Sequence, residues 1–275
     1  MLTVISLVLI TGIDIIRISR YKTYPKLPKE KIQCNESQVY YDLVNGKKDI
    51  DWKSLDGTLV YVKNEYDCSD FRLVNLIRIL YEYDSYVPMD YSSKIEDVLL
   101  NFRYWWDEPG ENSMCYWSEN HQVLFASAEY LIGQKYPDGI FQNSGLSGEQ
   151  HKKKARQRIL DWLQMRWDYG FTEFYSNVYY KEDIGALVNL IDYAKDQEIV
   201  KKSQIVLDLL FYDVASQSNN TLFASVSGRA YENNRKRGSM RDIAEYYWGH
   251  GKAIGAGMTY GLVATKNYQL PTVIK

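Results

Sequence analysis

The hexapeptide at residues 116–121, Tyr-Trp-Ser-Glu-Asn-His, gathers side chains that could act on a ligand. If Ser118 caps a helix, the three residues after it lie in the first turn, where unpaired backbone N–H groups and the helix dipole favour an anion. Asn120 could then bind a ligand carboxylate, and His121 could act as a general base near neutral pH. We expect the other members to bind substrate: Tyr116, Trp117 and Glu119. The competing interpretation is a capped helix end with the histidine packed on an aromatic ring.

A second cluster of such residues spans positions 173–183. Tyrosine can donate a proton, Asn177 can bind a carbonyl or carboxylate oxygen, and Glu173 or Asp183 could serve as a catalytic carboxylate. The alternative is a capping loop whose acidic residues favour a helix start. We predict that four residues of this segment bind substrate: Glu173, Tyr175, Asn177 and Tyr179.

A third cluster spans residues 227–235. Gly228 permits close approach of the backbone, and Arg229 offers a planar fork for a carboxylate or sulfate. Tyr231 is a second candidate acid. The alternative is a solvated basic loop. His250, between two glycines, is a further candidate for substrate binding, whereas His151, among lysines on a helix, is expected to be exposed.

Composition narrows the class of partner. The chain has 275 residues and a formal net charge of −2, which gives no global field to attract nucleic acid. Its 25 tyrosines, 7 tryptophans and 8 phenylalanines suit a surface that stacks hydroxyl-rich ligands, although they could equally serve the core and its rim. The three cysteines and three histidines lack metal-ligand spacing, and no phosphate-binding glycine loop is present. We therefore expect no metal and no cofactor.

Helical periodicity predicts the elements that must position these loops. Four helices are predicted to begin near Phe71, Ser118, Lys181 and Ser239, and each spacing fits one helical hairpin with its loops. Further helices are predicted over 149–168 and 200–215, and the last one is predicted to run from about 241 to 257. The best strand candidate is Thr-Leu-Val-Tyr-Val at 58–62. The predicted fold class is all-α.

The N-terminal part differs from the rest. Residues 1–36 form an apolar segment followed by a basic linker with two prolines, and residues 37–275 form the helical-hairpin domain. The apolar run is too short for a confident membrane span and lacks the positive region of a signal peptide. Membrane contact through residues 2–16, a weak signal and a fragment boundary stay open. A secreted or membrane-anchored protein is favoured over a cytoplasmic one.

Helical hairpins with Asn, His, Tyr and Arg in the loops at one end resemble the (α/α)-toroid polysaccharide lyases that cleave uronic-acid polymers. Gly228-Arg229-Ala230-Tyr231 is similar to the Gly-Arg-containing loop of the chondroitin and hyaluronan lyases. The resemblance implies Asn120 as the group that neutralises the uronate carboxylate, His121 as the base, Tyr231 as the acid and Arg229 as support. The 116–121 and 176–180 segments are also similar to uncharacterised bacterial proteins, which adds no activity.

The resemblance in helix arrangement covers about residues 67–260, whereas the resemblance in sequence is confined to short motifs. The familiar toroids use five to seven hairpins, whereas this chain has room for about three and a half, so we expect an incomplete toroid, a fragment, or a shorter helical protein. The expected partner is a polysaccharide or oligosaccharide, and lyase chemistry is favoured. The alternatives are a glycoside hydrolase that uses paired carboxylates such as Glu119 with Glu173 or Asp183, and a glycan-binding protein without catalysis.

Overall fold

The computed structural model describes residue 15 and residues 26–237, 240–251 and 254–275. The regular secondary structure of these residues is helical apart from one antiparallel hairpin of two-residue strands, so the all-α prediction is confirmed. The helices are α1 (Glu36–Val44), α2 (Asp56–Lys63), α3 (Ser69–Glu82), α4 (Met89–Asn101), α5 (Glu119–Lys135), α6 (Gly148–Tyr169), α7 (Tyr180–Tyr193), α8 (Gln197–Ser216), α9 (Glu232–Arg237), α10 (Arg241–Trp248) and α11 (Gly261–Ala264). Strands β1 (Ser218–Asn219) and β2 (Leu222–Phe223) form the hairpin, with Ser218 opposite Phe223.

Most of the apolar N-terminal segment lies outside the described residues, so its predicted membrane contact stays a prediction. Of residues 2–16, only Ile15 is described, and its side chain is exposed. Among the helices that the structure describes, none has the length and hydropathy needed to cross a bilayer. The described part of the basic linker contacts the helical domain, since the backbone oxygen of Lys26 accepts a hydrogen bond from the Asp67 N–H at 2.8 Å.

Local sequence signals begin and end the helices around the site. A capping box begins α6: the Ser147 hydroxyl accepts from the backbone N–H of Gln150, whose side chain accepts from the Ser147 N–H. The same helix ends at Gly170, whose φ of +73° is a left-handed conformation that glycine adopts without strain. Asp196 caps α8 through its carboxylate, which accepts from two backbone N–H groups of the first turn.

Three helices, α3, α5 and α7, lie side by side at the centre of the described chain, and each contacts the other two. Hydrogen bonds join their C-terminal ends, because the Tyr81 hydroxyl donates to the Leu131 oxygen at 2.7 Å and Gln134 donates to the Tyr193 oxygen at 2.9 Å. Their N-terminal ends also meet, as described below. The three helices are therefore parallel, and all three begin at one end of the domain.

The helix α6 packs against α5, α8 packs against α7, and α6 and α8 contact each other. The α5–α6 pair is especially close because it crosses at two glycines. A β-carbon added at Gly148 would lie 1.9 Å from the Tyr136 oxygen, and one at Gly133 would lie 2.4 Å from the Gly148 oxygen. A side chain at either position would push the two backbones apart.

The predicted helix starts agree with the structure, in which the four helices begin at Ser69, Glu119, Tyr180 and Arg241. The predicted strand at 58–62 is wrong, because these residues belong to α2. Thr58, Leu59 and Val62 are the buried residues of α2, and this spacing matches one helical face rather than alternate strand positions. Burial on that face outweighs the β propensity of the run.

The prediction of one helix from 241 to 257 is also wrong in its length. The helix α10 ends at Trp248, where two glycines follow, and Gly251 has a φ of +68°. A 3-10 helix at Met258–Tyr260 and the short α11 come after it.

Candidate functional site

The imidazole of His121 lies at the start of α5 against the start of α3. Its Nδ1 is 2.6 Å from the Asp70 carboxylate, and both side chains are buried. Burial alone would lower the pKa of His121, but the Asp70 charge, with hydrogen bonds to Cys115 and Cys68, raises it to about 12. Burial also raises the pKa of Asp70, so the two groups compete for one proton. We place that proton on His121, because the sulfur partners favour the imidazolium as well.

Carboxylates gather where α5 meets α7. Glu119 is buried and forms an ion pair with Arg166 of α6 at 2.7 Å. Burial, and then the charge of Glu119, raise the pKa of Asp183 well above its usual range. Burial also raises the pKa of its neighbour Glu182, to about 7, and the charges of His121 and Asp70 act on the same carboxylate. Part of this acidic cluster is therefore protonated at neutral pH.

The loop that contains Arg229 packs against the loop that leads into α7. Arg229 donates to Glu173 at 2.8 Å and to the Tyr231 hydroxyl at 3.0 Å, and its guanidinium lies 4.3 Å from the centre of the Tyr179 ring. The Tyr179 and Tyr231 hydroxyls are 2.7 Å apart. The hydrogen bond from Tyr179, followed by that from Arg229, lowers the pKa of Tyr231. Because Tyr231 is 48% exposed, this acidified phenol is open to a ligand.

Electrostatic contacts join these groups into one region. Glu173, the partner of Arg229, raises the pKa of both Glu119 and Asp183, and Glu182 interacts with His121. The predicted residues of the first two segments and of the Arg229 loop therefore share one end of the domain.

Buried polar atoms without a hydrogen-bond partner among the described residues are concentrated at this end. Eight of the fourteen such atoms belong to residues of this end: Asp70 Oδ1, Glu119 Oε1, Asn120 Nδ2, Arg166 Nε, Glu173 Oε2, Asn177 Oδ1, Glu182 Oε2 and Asp183 Oδ1. An unpaired buried polar atom costs about 1–3 kcal/mol. A ligand that supplies both donors and acceptors would recover part of this cost.

A cavity of about 520 Å³ opens beside the same loops. Asn177, Ser225 and Ser227 line it, together with Ala230, the residue between Arg229 and Tyr231. Its walls mix polar groups with apolar side chains, as small-molecule sites do.

Some predicted binding residues point elsewhere. The Tyr116 ring stacks on Phe125 at 4.6 Å in the core, and its hydroxyl accepts from Asn112. Tyr175 is half-buried with a φ of +50°, and its backbone N–H donates to the Tyr180 hydroxyl. Trp117 is 67% exposed, and it stays available to a ligand.

His250 lies in the exposed turn after α10, and the contacts that join the other predicted residues do not include it.

The prediction that His151 is exposed is wrong, because its side chain is fully buried. Its Nδ1 is 2.6 Å from Glu129, and its Nε2 is 2.6 Å from the Ser144 hydroxyl. Ligand atoms of Glu108, Glu129 and His151 all lie within 4.8 Å of one another, which is close enough for a metal ion. Lys154 and Arg158, however, already form ion pairs with these carboxylates. We therefore interpret the cluster as a network of ion pairs that holds α5 and α6 against the loops beside them.

Two groups that were not predicted, Asp70 and Arg166, lie next to predicted ones. Asp70 carries a signal that could have revealed it, since it lies in the first turn of a predicted helix, as His121 does. No sequence signal identifies Arg166, because its ion pair with Glu119 depends on which face of α6 packs against α5.

Comparison of the chain with protein-family models, curated proteins and solved structures finds no match.

Proposed function

We propose that the chain binds and cleaves an oligosaccharide or polysaccharide at the end of the domain where α3, α5 and α7 begin. The observation that carries this proposal is the concentration of buried, unpaired polar atoms there, next to a cavity and the hydrogen-bonded hydroxyls of Tyr179 and Tyr231. Sugar hydroxyls both donate and accept, so one sugar could pair with carboxylate oxygens and with the Asn120 amide. The exposed Trp117 offers a face for stacking.

For the fold, we propose a short arc of (α/α)-toroid type. Two consecutive pairs, α5 with α6 and α7 with α8, form hairpins, and alternate helices such as α3 and α5, or α5 and α7, neighbour one another, as in such an arc. The contact between α3 and α7 makes the arc tight. The candidate site then lies at the end where its inner helices begin.

The chemistry we favour is β-elimination on a uronate-containing chain. Tyr231, with a lowered pKa and an arginine neighbour, is suited to remove the proton beside the uronate carboxylate and to return it to the leaving oxygen. The proton on His121 makes this residue a cation rather than a base, so the proposed base moves from His121 to Tyr231. The unpaired Asn120 amide and Arg229 would hold the substrate carboxylate, where they stabilise the developing charge.

Glycoside hydrolysis is the second candidate, and a specific observation favours it. Glu182, with a pKa raised to about 7, resembles the protonated acid that such enzymes need, and Glu119 and Asp183 lie near it. Glu119 and Asp183 are buried and Glu182 is half-buried, however, whereas Tyr231 is exposed. The group that would transfer the proton is therefore more accessible in β-elimination, which we favour for that reason.

The test uses the full chain with galacturonan, alginate and chondroitin. A lyase produces an unsaturated sugar that absorbs in the ultraviolet, whereas a hydrolase produces reducing ends without that absorbance. Tyr231→Phe should lower kcat by about 10²- to 10⁴-fold and leave the melting temperature unchanged. Tyr169→Phe, at the 82% exposed last residue of α6, is the matched control and should keep full activity.

If the chain produces reducing ends without ultraviolet absorbance, and Glu182→Gln abolishes their formation, the protein is a hydrolase and the lyase proposal is wrong. Binding without any cleavage would leave a glycan-binding protein and overturn both catalytic proposals.

A further inference from the structure

A serine, a histidine and a carboxylate are hydrogen-bonded in series beside the start of α6. The Oγ of Ser144 is 2.6 Å from Nε2 of His151, and Nδ1 of the same imidazole is 2.6 Å from the carboxylate of Glu129. The Phe141 ring stacks on the imidazole with 4.0 Å between centroids, which fixes the plane of the imidazole. A hydroxyl, an imidazole and a carboxylate joined in this order are the groups that nucleophilic catalysis by serine requires.

The ion pairs of Glu129 determine where the protons of this series lie. Arg158 and Lys154 both pair with its carboxylate, which is therefore ionised and can only accept hydrogen bonds. Nδ1 of His151 must then carry a proton. Burial lowers the pKa of His151, so the imidazole is neutral at pH 7 and its Nε2 has a free lone pair. The Ser144 hydroxyl donates to that lone pair, because its other acceptor, a backbone oxygen at 3.4 Å, is farther away.

A tight turn holds Ser144 in front of the buried imidazole. The Phe141 N–H donates to the Leu146 oxygen at 2.9 Å, and the Gly145 N–H donates to the Phe141 oxygen at 2.7 Å, so two hydrogen bonds close the turn. Gly145 is exposed, and nothing lies within 4 Å of a β-carbon built there. Ser144 is half-buried, whereas His151 is fully buried. A substrate can therefore reach the hydroxyl from the Gly145 side, while the imidazole behind it stays shielded from water.

We propose that Ser144 is the nucleophile of an esterase site, with His151 as its general base and Glu129 as the residue that positions the imidazole. The Ser144 oxygen bonds to the carbonyl carbon of the ester while its proton passes to Nε2 of His151. That proton then moves to the alcohol as the ester C–O bond breaks, which leaves the acyl group on Ser144. Water gives a proton to the same nitrogen, attacks the acyl group and releases the acid, and the proton returns to the Ser144 oxygen.

The backbone around the hydroxyl favours esters over amides as substrates. The Leu146 N–H, which lies 3.2 Å from the Ser144 oxygen, is the backbone donor that contacts this hydroxyl among the described residues. A donor beside the reacting carbonyl typically contributes about 10²- to 10³-fold in rate. An ester needs less of this stabilisation than an amide, because an alcohol leaves more readily than an amine. The substrate class is therefore a carboxylic ester rather than a peptide.

This site is separate from the proposed carbohydrate site. Glu129 follows Glu119 by ten residues in α5, which places it about 15 Å further along the helix. The inference is therefore independent of carbohydrate cleavage, and the two proposals can fail separately.

The test uses the full chain with p-nitrophenyl acetate and with a fluorophosphonate probe. The probe should phosphonylate Ser144 with release of fluoride, and peptide mass spectrometry should locate the adduct there. Ser144→Ala should abolish the adduct and lower ester hydrolysis by about 10²-fold or more, with an unchanged melting temperature. Ser92→Ala is the matched control, since Ser92 is also half-buried but lies in the first turn of α4, and it should keep both the adduct and the hydrolysis.

Glu129→Gln tests the positioning role. It removes the charge opposite Nδ1 of His151, so kcat should fall by about 10²-fold or more while KM stays within about twofold. A merely structural role would lower the melting temperature without this separation of kcat from KM. If the variant does not fold, the comparison of Ser144→Ala with Ser92→Ala decides the matter without it. A wild-type chain that takes no adduct on Ser144, or equal ester hydrolysis in Ser144→Ala, would overturn the proposal.

Discussion

The guanidinium of Arg78 lies 2.8 Å from the carboxylate of Asp192, although 114 residues separate them in the chain. Arg78 is 1% exposed and also donates to Asn189 at 3.0 Å and to Glu82 at 2.7 Å. One buried cation therefore ties the last turns of α3 to those of α7.

Replacement of Arg78 should consequently be among the most destabilising single changes. Arg78→Met leaves the Asp192 carboxylate without its main partner, and loss of one member of a buried pair costs about 3–5 kcal/mol. The exposed pair of Lys63 and Asp97, at 3.6 Å, is the control. Lys63→Ala should cost roughly 1 kcal/mol or less. Urea unfolding measures both, and similar losses in the two variants would contradict the assignment.

The glycine crossing of α5 and α6 predicts a second large effect. Gly148→Ala places a methyl group where the Tyr136 oxygen already lies, and such overpacking costs about 1–3 kcal/mol or more. Gly255→Ala is the matched control, since nothing lies within 4 Å of a β-carbon there. Thermal denaturation should show a clear fall in melting temperature for the first variant and almost none for the second.

Glu182 predicts a pH dependence of stability. Its pKa rises on folding from 4.5 to about 7, so the native state binds its proton more tightly than the unfolded chain does. The resulting stabilisation is fully present below pH 4.5 and is lost as the pH rises through 7. It amounts to at most about 3 kcal/mol.

Glu182→Gln should remove that part of the slope when unfolding is measured by urea between pH 4 and 8. Asp138→Asn, in an exposed turn, should keep the wild-type slope. An unchanged slope in Glu182→Gln would show that another group is responsible.

Trp117 predicts an effect on binding without an effect on folding. Its ring is 67% exposed, so Trp117→Ala removes little from the core. If the ring stacks on a sugar, the change should weaken oligosaccharide binding by roughly 5- to 10-fold. Trp106→Ala removes an equally exposed ring from a neighbouring loop, 69% exposed, and should leave the Kd unchanged. Calorimetric titration of both variants with the same oligosaccharide decides between a general aromatic surface and a specific contact.

The sequence predicts the helix starts well because capping and periodicity are local properties. Ser118 occupies the N-cap position of α5 as predicted, but its hydroxyl donates to Asn120 Oδ1 at 2.6 Å and caps no backbone N–H. The three residues that follow it, Glu119, Asn120 and His121, are buried. The strand prediction at 58–62 fails because Thr58, Leu59 and Val62 form one buried helical face while Val60 is exposed, and only the neighbouring helices decide which face is buried.

Contacts between residues that are far apart in the chain could not be predicted from a single sequence. His151 sits among lysines, which suggests a solvated face, yet its partners Glu129 and Ser144 come from two other segments. The activation of Tyr231 depends in the same way on Tyr179, which is 52 residues away. Residue type and spacing could select these side chains as candidates, but could not supply the neighbours that set their protonation.

The two glycines at the α5–α6 crossing also have a consequence for motion. Backbones in such close contact leave no room for one helix to slide along the other, so the hairpin should move as one rigid body. Amide protons in both helices would then exchange with solvent only when the whole hairpin opens. The Arg229 loop is held to the loop before α7 by the ion pair with Glu173 and by the hydrogen bond from the Gly228 N–H to the Phe174 oxygen at 2.9 Å. A ligand that displaces this loop would have to break these contacts, while the rigid hairpin keeps Glu119 and His121 in place.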